Sequence, residues 1–186
     1  IASGYIINNF YDDKKDLINR PKKAMMVRLV SQETKLKVYF TINFIVAVLM
    51  FFISWRALLF FSTYIFLIWF YSHKIKKQPL IGNLMSAFLA VLPFFAILLY
   101  YYNQIPFEEI ENYSNQLAVI FAHASFLFLL LLIREMIKDL ENLKGDLANN
   151  YKTIPIVYGE KFSKNIISVL IIATILPVYI LIEIYD

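Results

Sequence analysis

Five long uncharged runs constrain the fold more than any other feature of this sequence. Each run is close to the length that an α-helix needs to cross about 30 Å of hydrocarbon at about 1.5 Å per residue. The runs cover residues 38–55, 57–72, 80–103, 112–133 and 165–182. Their apolar residues lie on all sides rather than in one stripe, which is typical of helices surrounded by lipid and by other apolar helices. The sequence therefore predicts an all-α polytopic transmembrane helix bundle.

Composition supports this class. The chain is 60% hydrophobic and 17% charged, whereas soluble domains are about 45–50% apolar and about 25% charged. The sequence contains no cysteine, which excludes disulfides, thiolate metal sites and cysteine nucleophiles. We expect one membrane-embedded domain over residues 1–186, with about five full spans plus the end of another, and a chain that is incomplete at both ends. The expected surroundings are a lipid bilayer, and no nucleic-acid partner is predicted.

The basic residues alternate between successive connections. Lysine and arginine are concentrated in residues 12–37, 73–77 and 134–164, whereas residues 103–111 hold three glutamates and no basic residue. Cytoplasmic loops carry the excess of lysine and arginine in membrane proteins. We therefore expect an integral, multi-pass membrane protein whose three basic connections face the cytoplasm. Arg56, in a short connection predicted to lie on the other side, is a weak exception.

Two clusters of oxygen-bearing side chains stand at cytoplasmic ends of the predicted spans. Their spacings of three and four residues place the members of each cluster on one helix face. The first cluster is Asn8, Asp12 and Asp16, and the second is Glu135, Asp139, Asn142 and Asp146. Because four spans separate the clusters, the chain returns to the same side of the membrane. We expect both clusters to share one active site on the cytoplasmic side.

Facing carboxylates repel one another unless cations lie between them. Mg²⁺ suits such a site, because it takes one or two carboxylates and leaves positions open for phosphate oxygens. Nearby basic residues could neutralise the remaining phosphate charge; these are Arg20, Lys22, Lys23, Lys76 and Lys77. A phosphate head with a long hydrocarbon tail would fit both the polar and the apolar surroundings. The alternative is that both acidic runs are solvated helix ends.

Three motifs resemble those of the UbiA superfamily of intramembrane prenyltransferases. Residues 8–16 read N-N-F-Y-D-D-K-K-D and are followed by N-R-P at 19–21, which is similar to the family's N-D-x-x-D-x-x-x-D motif. Residues 138–146 read K-D-L-E-N-L-K-G-D, close to the family's K-D-x-E-D-x-x-G-D. Residues 71–77, Y-S-H-K-I-K-K, resemble its element of a tyrosine with a basic pair. The resemblance covers nearly the whole chain.

The resemblance implies a UbiA-like bundle and a Mg²⁺-dependent prenyltransferase that uses a prenyl diphosphate and a membrane-associated acceptor. The implied catalytic residues are Asp12, Asp16, Asp139 and Asp146. These four and Asn8 would also bind the metal. The implied substrate-binding residues are Asn8, Arg20, Tyr71, Lys76, Lys77 and Asn142. Other roles stay open for some of them, since Tyr71 could be a membrane-interface tyrosine and Lys76 and Lys77 could be cytoplasmic anchors.

This sequence departs from the family pattern at Asn9 and Asn142, where the family usually has Asp. Asparagine offers a carbonyl oxygen but no charge. The form of the second motif looks more like the branch that prenylates glycerol phosphates, such as geranylgeranylglycerol phosphate. The alternatives are a prenyltransferase with an aromatic acceptor, as in quinone or haem biosynthesis, and a membrane transporter without enzymatic activity. A transporter would place charges near mid-span, whereas the charges here lie at the ends of the spans.

Overall fold

The computed structural model describes residues 2–102 and 114–185, and every regular element in these ranges is a helix. The α-helices of these ranges are α1 (Ala2–Asn19), α2 (Pro21–Arg28), α3 (Gln32–Ile53), α4 (Trp55–His73), α5 (Ile81–Tyr102), α6 (Ser114–Glu141), α7 (Leu143–Ala148), α8 (Ile154–Tyr158), α9 (Glu160–Ala173) and α10 (Ile175–Tyr185). A 3₁₀ turn, Ile75–Lys77, joins α4 to α5. The prediction of an all-α polytopic bundle is confirmed.

In the described ranges, four stretches are long and apolar enough to cross a membrane. They are Gln32–Ile53, Trp55–Lys77, Leu117–Glu141 and Glu160–Ile184. The run predicted at 80–103 forms α5, of which Ile81–Ala96 is a shorter apolar helix. Residues 103–113, which include the predicted acidic connection, lie outside the described residues, so the side of the membrane that they face stays a prediction.

The last predicted span differs from the observed helices. Helix α9 begins at Glu160 rather than at residue 165, and α10 begins again at Ile175. The extra first turn carries exposed charges, and Lys164 Nζ lies 3.5 Å from Glu160 Oε2. Pro177, in the first turn of α10, has no N–H to continue the ladder of α9, which favours the break at Thr174. The sequence prediction missed that turn because it counted only uncharged residues.

Helices α3 and α4 are separated by a single non-helical residue, Ser54. Its backbone is extended, and its hydroxyl oxygen accepts a hydrogen bond from the backbone N–H of Ala57 at 3.1 Å. Such an N-cap satisfies one of the free donors at the start of α4. The two helices therefore pack against each other directly after a tight turn.

The second acidic cluster is not on one continuous helix, as its spacing predicted. Helix α6 ends at Glu141, and α7 begins at Leu143 after a one-residue interruption at Asn142. The hydrogen bonds from the Asn142 N–H to the Lys138 carbonyl and from the Asp146 N–H to the Asn142 carbonyl, both 3.0 Å, carry the helical phase across the interruption. Asn142 and Asp146 are therefore both buried.

Two hydrogen bonds fix the connections around the two acidic clusters. The side-chain oxygen of Asn19, at the end of α1, accepts from the Gly145 N–H at 2.9 Å. The backbone N–H of Lys152 donates to the Lys77 carbonyl at 2.9 Å. A small apolar core of Ile133, Met136, Ile154 and Ile167 joins α6, α8 and α9 behind them. The chain after α7 is thereby held against α1 and the 3₁₀ turn.

Candidate functional site

Asp12 lies where four parts of the chain meet. Its side chain is on the inner face of α1, and the residue is only 9% exposed. Lys76 Nζ, from the 3₁₀ turn, donates to Asp12 Oδ1 at 2.7 Å and to Asn8 Oδ1 at 3.3 Å. The Tyr151 hydroxyl donates to the same Asp12 oxygen at 3.2 Å. Burial and the Asp12 charge raise the pKa of Tyr151 well above its usual value, so this hydroxyl stays a donor.

Asp146 is the most deeply buried acid of the site. It is 0% exposed, and Lys15 Nζ lies 2.5 Å from its Oδ1. Neither carboxylate oxygen has a well-directed hydrogen bond from any described residue, so the ion pair is its main stabilising contact. Burial raises the pKa of Asp146, and the Lys15 ammonium offsets part of that increase. A buried carboxylate with free lone pairs can accept a cation.

Asp139 reaches the site from α6. Its Oδ2 accepts a hydrogen bond from Asn83 Nδ2, at the start of α5, at 2.7 Å. A small cavity of about 30 Å³ is lined by Asp12, Asp139, Asn8 and Lys76 among others. The structure therefore brings the predicted residues Asp12 and Asp139 to one enclosed space.

Asp16 and Asn142 lie beside this space rather than in its wall. Asp16 is half-buried one turn beyond Asp12, and burial, followed by the Asp12 charge, raises its pKa. Asn142 is buried at the junction of α6 and α7. Among the described residues that line the small cavity, neither is present.

The predicted basic residues Lys76, Lys77 and Arg20 differ in exposure, because the side chain of Lys76 is buried and the other two residues are exposed. Lys76 is buried against Asp12. Lys77 is exposed, with its Nζ 5.5 Å from the centre of the Tyr151 ring. Arg20 is also exposed, and its guanidinium lies 3.9 Å from Glu141 Oε2 at the end of α6. Neither Arg20 nor Lys77 is among the described residues that line the small cavity.

A larger apolar cavity of about 360 Å³ adjoins the small one. Asn8, Tyr71 and Lys138 line both cavities. From there the larger cavity continues between α1, α4 and α5, where its walls are mainly aliphatic and aromatic. Tyr71 therefore lies between the polar site and an apolar space that could take a hydrocarbon chain.

Sequence reasoning missed three residues that complete the site. Lys15 was counted only among the basic residues of the 12–37 segment, although it is three residues after Asp12 and so near the same helix face. Tyr151 lies outside both motifs, and only its position five residues after Asp146 hints at a role. Asn83, at the start of α5, is the hydrogen-bond donor to Asp139 and lies outside the three motifs.

The donor set suits a hard cation, because all the predicted ligands offer carboxylate or carboxamide oxygens. Lys15 and Lys76 pair with the carboxylates of Asp146 and Asp12. In residues 2–102 and 114–185, no three acidic or histidine side chains converge closely enough to form a ready metal site. The buried Asp146 carboxylate, whose main stabilising contact is the ion pair with Lys15, is the feature that fits metal binding best.

The fold and this site define a class: an integral membrane protein with buried carboxylates, each paired with a lysine, next to an apolar cavity. The family can also be stated. The chain belongs to the UbiA prenyltransferase family, whose model matches residues 1–185.

Among curated proteins, the chain is similar to digeranylgeranylglyceryl phosphate synthases of archaea. It is 33% identical to that of Methanobrevibacter smithii over 180 residues, covering 92% of this chain and 59% of the relative. It is 31% identical to that of Thermococcus sibiricus over 174 residues, covering 93% of this chain and 57% of the relative. The chain thus spans about three-fifths of the length of these relatives.

A solved structure has the same fold. It is described as giving structural and mechanistic insights into digeranylgeranylglyceryl phosphate synthase in membranes, and it matches with a TM-score of 0.59 and 22% identity. The match covers 98% of this chain and 61% of that chain. At this identity the likeness supports the arrangement of helices.

Proposed function

We propose that this protein transfers a prenyl group from an allylic prenyl diphosphate to a glycerol-phosphate-type lipid acceptor at the cytoplasmic face of the membrane. The acceptor class is carried over from the names of the relatives and agrees with the form of the 138–146 motif. An aromatic acceptor remains the alternative to be tested.

One observation carries the proposal. Asp12 and Lys15 of α1 contact Tyr151 and Asp146, which are more than a hundred residues away in the chain, at the end of an apolar cavity. The polar end suits a diphosphate, and the apolar cavity suits the prenyl chain.

In the proposed reaction the bond between the allylic carbon and the diphosphate oxygen breaks, and the electron pair leaves with the diphosphate. Lys15 and Lys76 exchange their carboxylate partners for phosphate oxygens and stabilise the developing negative charge. Arg20, which is exposed beside Glu141 at the end of α6, binds an outer phosphate oxygen. The acceptor hydroxyl then attacks the allylic carbon, and its proton passes to the released diphosphate.

The chain's apolar cavity protects the allylic cation. Its walls exclude water, which would otherwise capture the cation. Tyr71, between the two cavities, presents an aromatic ring at the point where positive charge develops, and aromatic faces attract cations.

Mg²⁺ is the proposed cofactor, held by Asp12, Asp16, Asp139 and Asp146 with the Asn8 oxygen. When bound, it would supply positive charge that screens the diphosphate and favours its departure. The proposal requires Lys15 and Lys76 to release these carboxylates as the diphosphate binds.

The proposal is tested by product mass spectrometry with the full-length protein in membranes. Geranylgeranyl diphosphate is supplied with three acceptors: a glycerol-phosphate ether lipid, 4-hydroxybenzoate and dihydroxynaphthoate. We expect added mass on the glycerol-phosphate lipid, and we expect EDTA to abolish it and added Mg²⁺ to restore it.

Two results would redirect the assignment. Prenylation of an aromatic acceptor alone would move the protein to the aromatic branch. Anion flux through reconstituted protein, with no product from any acceptor, would favour the transporter. Product formation that persists in EDTA would remove the metal from the proposal.

A further inference from the structure

Tyr64 forms the end of the larger cavity that lies furthest from the acidic site. The cavity begins beside Asn8 and Tyr71. Along α4 it is lined by Ile68 and then by Tyr64. Along α5 the lining residues run from Ser86 to Pro93. At about 1.5 Å per residue, Tyr64 lies about 12 Å further along α4 than Ser72, at the site end of the cavity.

The Tyr64 side chain is held in this position by a specific hydrogen bond. Its hydroxyl donates to the backbone carbonyl of Leu89 in α5 at 3.1 Å. That carbonyl would normally accept from the N–H of residue 93, but residue 93 is proline and has no N–H. Tyr64 therefore supplies the donor that Pro93 removes, and an unsatisfied carbonyl in an apolar environment would be costly.

A second apolar cavity of about 310 Å³ also borders Tyr64. It is lined by Phe60, Thr63 and Leu92, together with residues at the start of α4. Among the described residues, Tyr64 is the one that lines both this cavity and the larger one. Phe60 stacks against Tyr64 with ring centres 6.3 Å apart, so the ring is supported from behind.

We propose that Tyr64 is the residue that limits the length of the prenyl chain, because its ring separates the cavity next to the acidic site from the second cavity. The Leu89 carbonyl, which has no N–H partner at Pro93, accepts the hydrogen bond from Tyr64 and so holds the ring in place between the two cavities. Removing the ring joins the two spaces and admits a longer chain. This inference rests on the proposed function, since it concerns the hydrocarbon part of the same substrate.

The test measures binding as a function of chain length. Non-reactive thiolo analogues of geranyl, farnesyl, geranylgeranyl and longer prenyl diphosphates are titrated against wild type and Tyr64→Ala in detergent. The preference is the affinity for a longer analogue divided by the affinity for the analogue that wild type binds best. We expect this ratio to rise about tenfold or more in Tyr64→Ala. Each methylene group that an apolar pocket accommodates contributes about tenfold or more to affinity. Tyr64→Phe keeps the ring and should keep the wild-type preference.

Phe61→Ala is the matched control, because it removes an aromatic ring from the same helix without lining either cavity. Tyr64→Val replaces Tyr64→Ala if the latter does not fold, as judged by thermal unfolding. An unchanged length preference in the folded variant, or an equal change in Phe61→Ala, would overturn the inference. Wild-type protein that binds the analogues in a length-dependent way but makes no prenylated product would contradict the proposed function and leave this inference standing.

Discussion

At the scale of single residues, Asp13 and Asp146 have the same side chain but different surroundings, and we assign them different roles. Asp13 lies near the surface, where Arg28 Nε and Nη2 donate to its two oxygens at 3.0 and 2.7 Å. This paired hydrogen bond lowers the pKa of Asp13, whereas burial raises that of Asp146. We interpret Asp13 as a structural contact between α1 and α2, and Asp146 as part of the site.

The first prediction compares these two acids. Asp146→Asn should lower prenyl transfer by about 10²-fold or more, because it removes a preorganised charge from the site. Asp13→Asn is the matched control, because it makes the same chemical change in α1 at a carboxylate that pairs with Arg28 of α2, and it should retain turnover. Initial rates with geranylgeranyl diphosphate give the comparison. Wild-type turnover in Asp146→Asn would remove Asp146 from the proposed site.

The second prediction concerns pH. The folded-state pKa of Asp13 is below its usual value of 3.8. The pair with Arg28 therefore stabilises the fold above pH 3.8, and this contribution is lost as the pH falls through the lowered folded pKa. Arg28→Gln should unfold at a slightly lower temperature than wild type at neutral pH, because exposed ion pairs contribute little. The difference should vanish at acidic pH in thermal unfolding followed by circular dichroism. A difference that persists there would show that Arg28 acts through packing.

At the scale of elements, the contact between α1 and α7 decides whether the two clusters meet. The Asn19 side chain lies directly over Gly145 and accepts from its N–H. A Cβ added at Gly145 would overlap the Asn19 carboxamide. Glycine at this position therefore leaves room for the Asn19 side chain, which would have to move if a Cβ were added.

The third prediction follows from this contact. Gly145→Ala should destabilise the fold by about 1–3 kcal/mol, the usual cost of overpacking. It should also lower turnover, because Asp146 is the next residue. Gly4→Ala is the stability control, since its Cβ would meet Ile68 Cγ2 at an ordinary 3.5 Å. Asn19→Ala should partly restore the stability of Gly145→Ala by making room. Equal stability of the two glycine variants would contradict the proposed packing.

At the scale of the whole molecule, the function requires both acidic clusters on one membrane face. The fold joins residues 64 positions apart at Asp12 and Lys76, and residues 139 positions apart at Asp12 and Tyr151. Such contacts are possible only if an even number of crossings separates the segments. Lys76 follows the end of α4 and Tyr151 follows the end of α7, so these contacts place the polar site near the ends of the helices.

The fourth prediction tests this topology and uses the absence of native cysteine. Single cysteines at the exposed positions Lys23, Lys74 and Lys161 should react with a membrane-impermeant maleimide in inside-out vesicles. A cysteine at the exposed position Arg56, in the first turn of α4, should react in right-side-out vesicles. Labelling of Lys23 and Lys161 positions from opposite sides would be incompatible with a shared site.

The sequence by itself determined the helical membrane class, most helix positions, and the two clusters, because hydropathy and helical spacing are local properties of the chain. The sequence also led to the hypothesis that Asp12 and Asp139 belong to one active site. Only the tertiary structure decided that Lys15 pairs with Asp146, that Tyr151 donates to Asp12, and that Tyr64 separates two cavities. Those contacts join residues from distant parts of the chain, and the partner of a charged or aromatic side chain is chosen by how helices pack rather than by its neighbours in sequence.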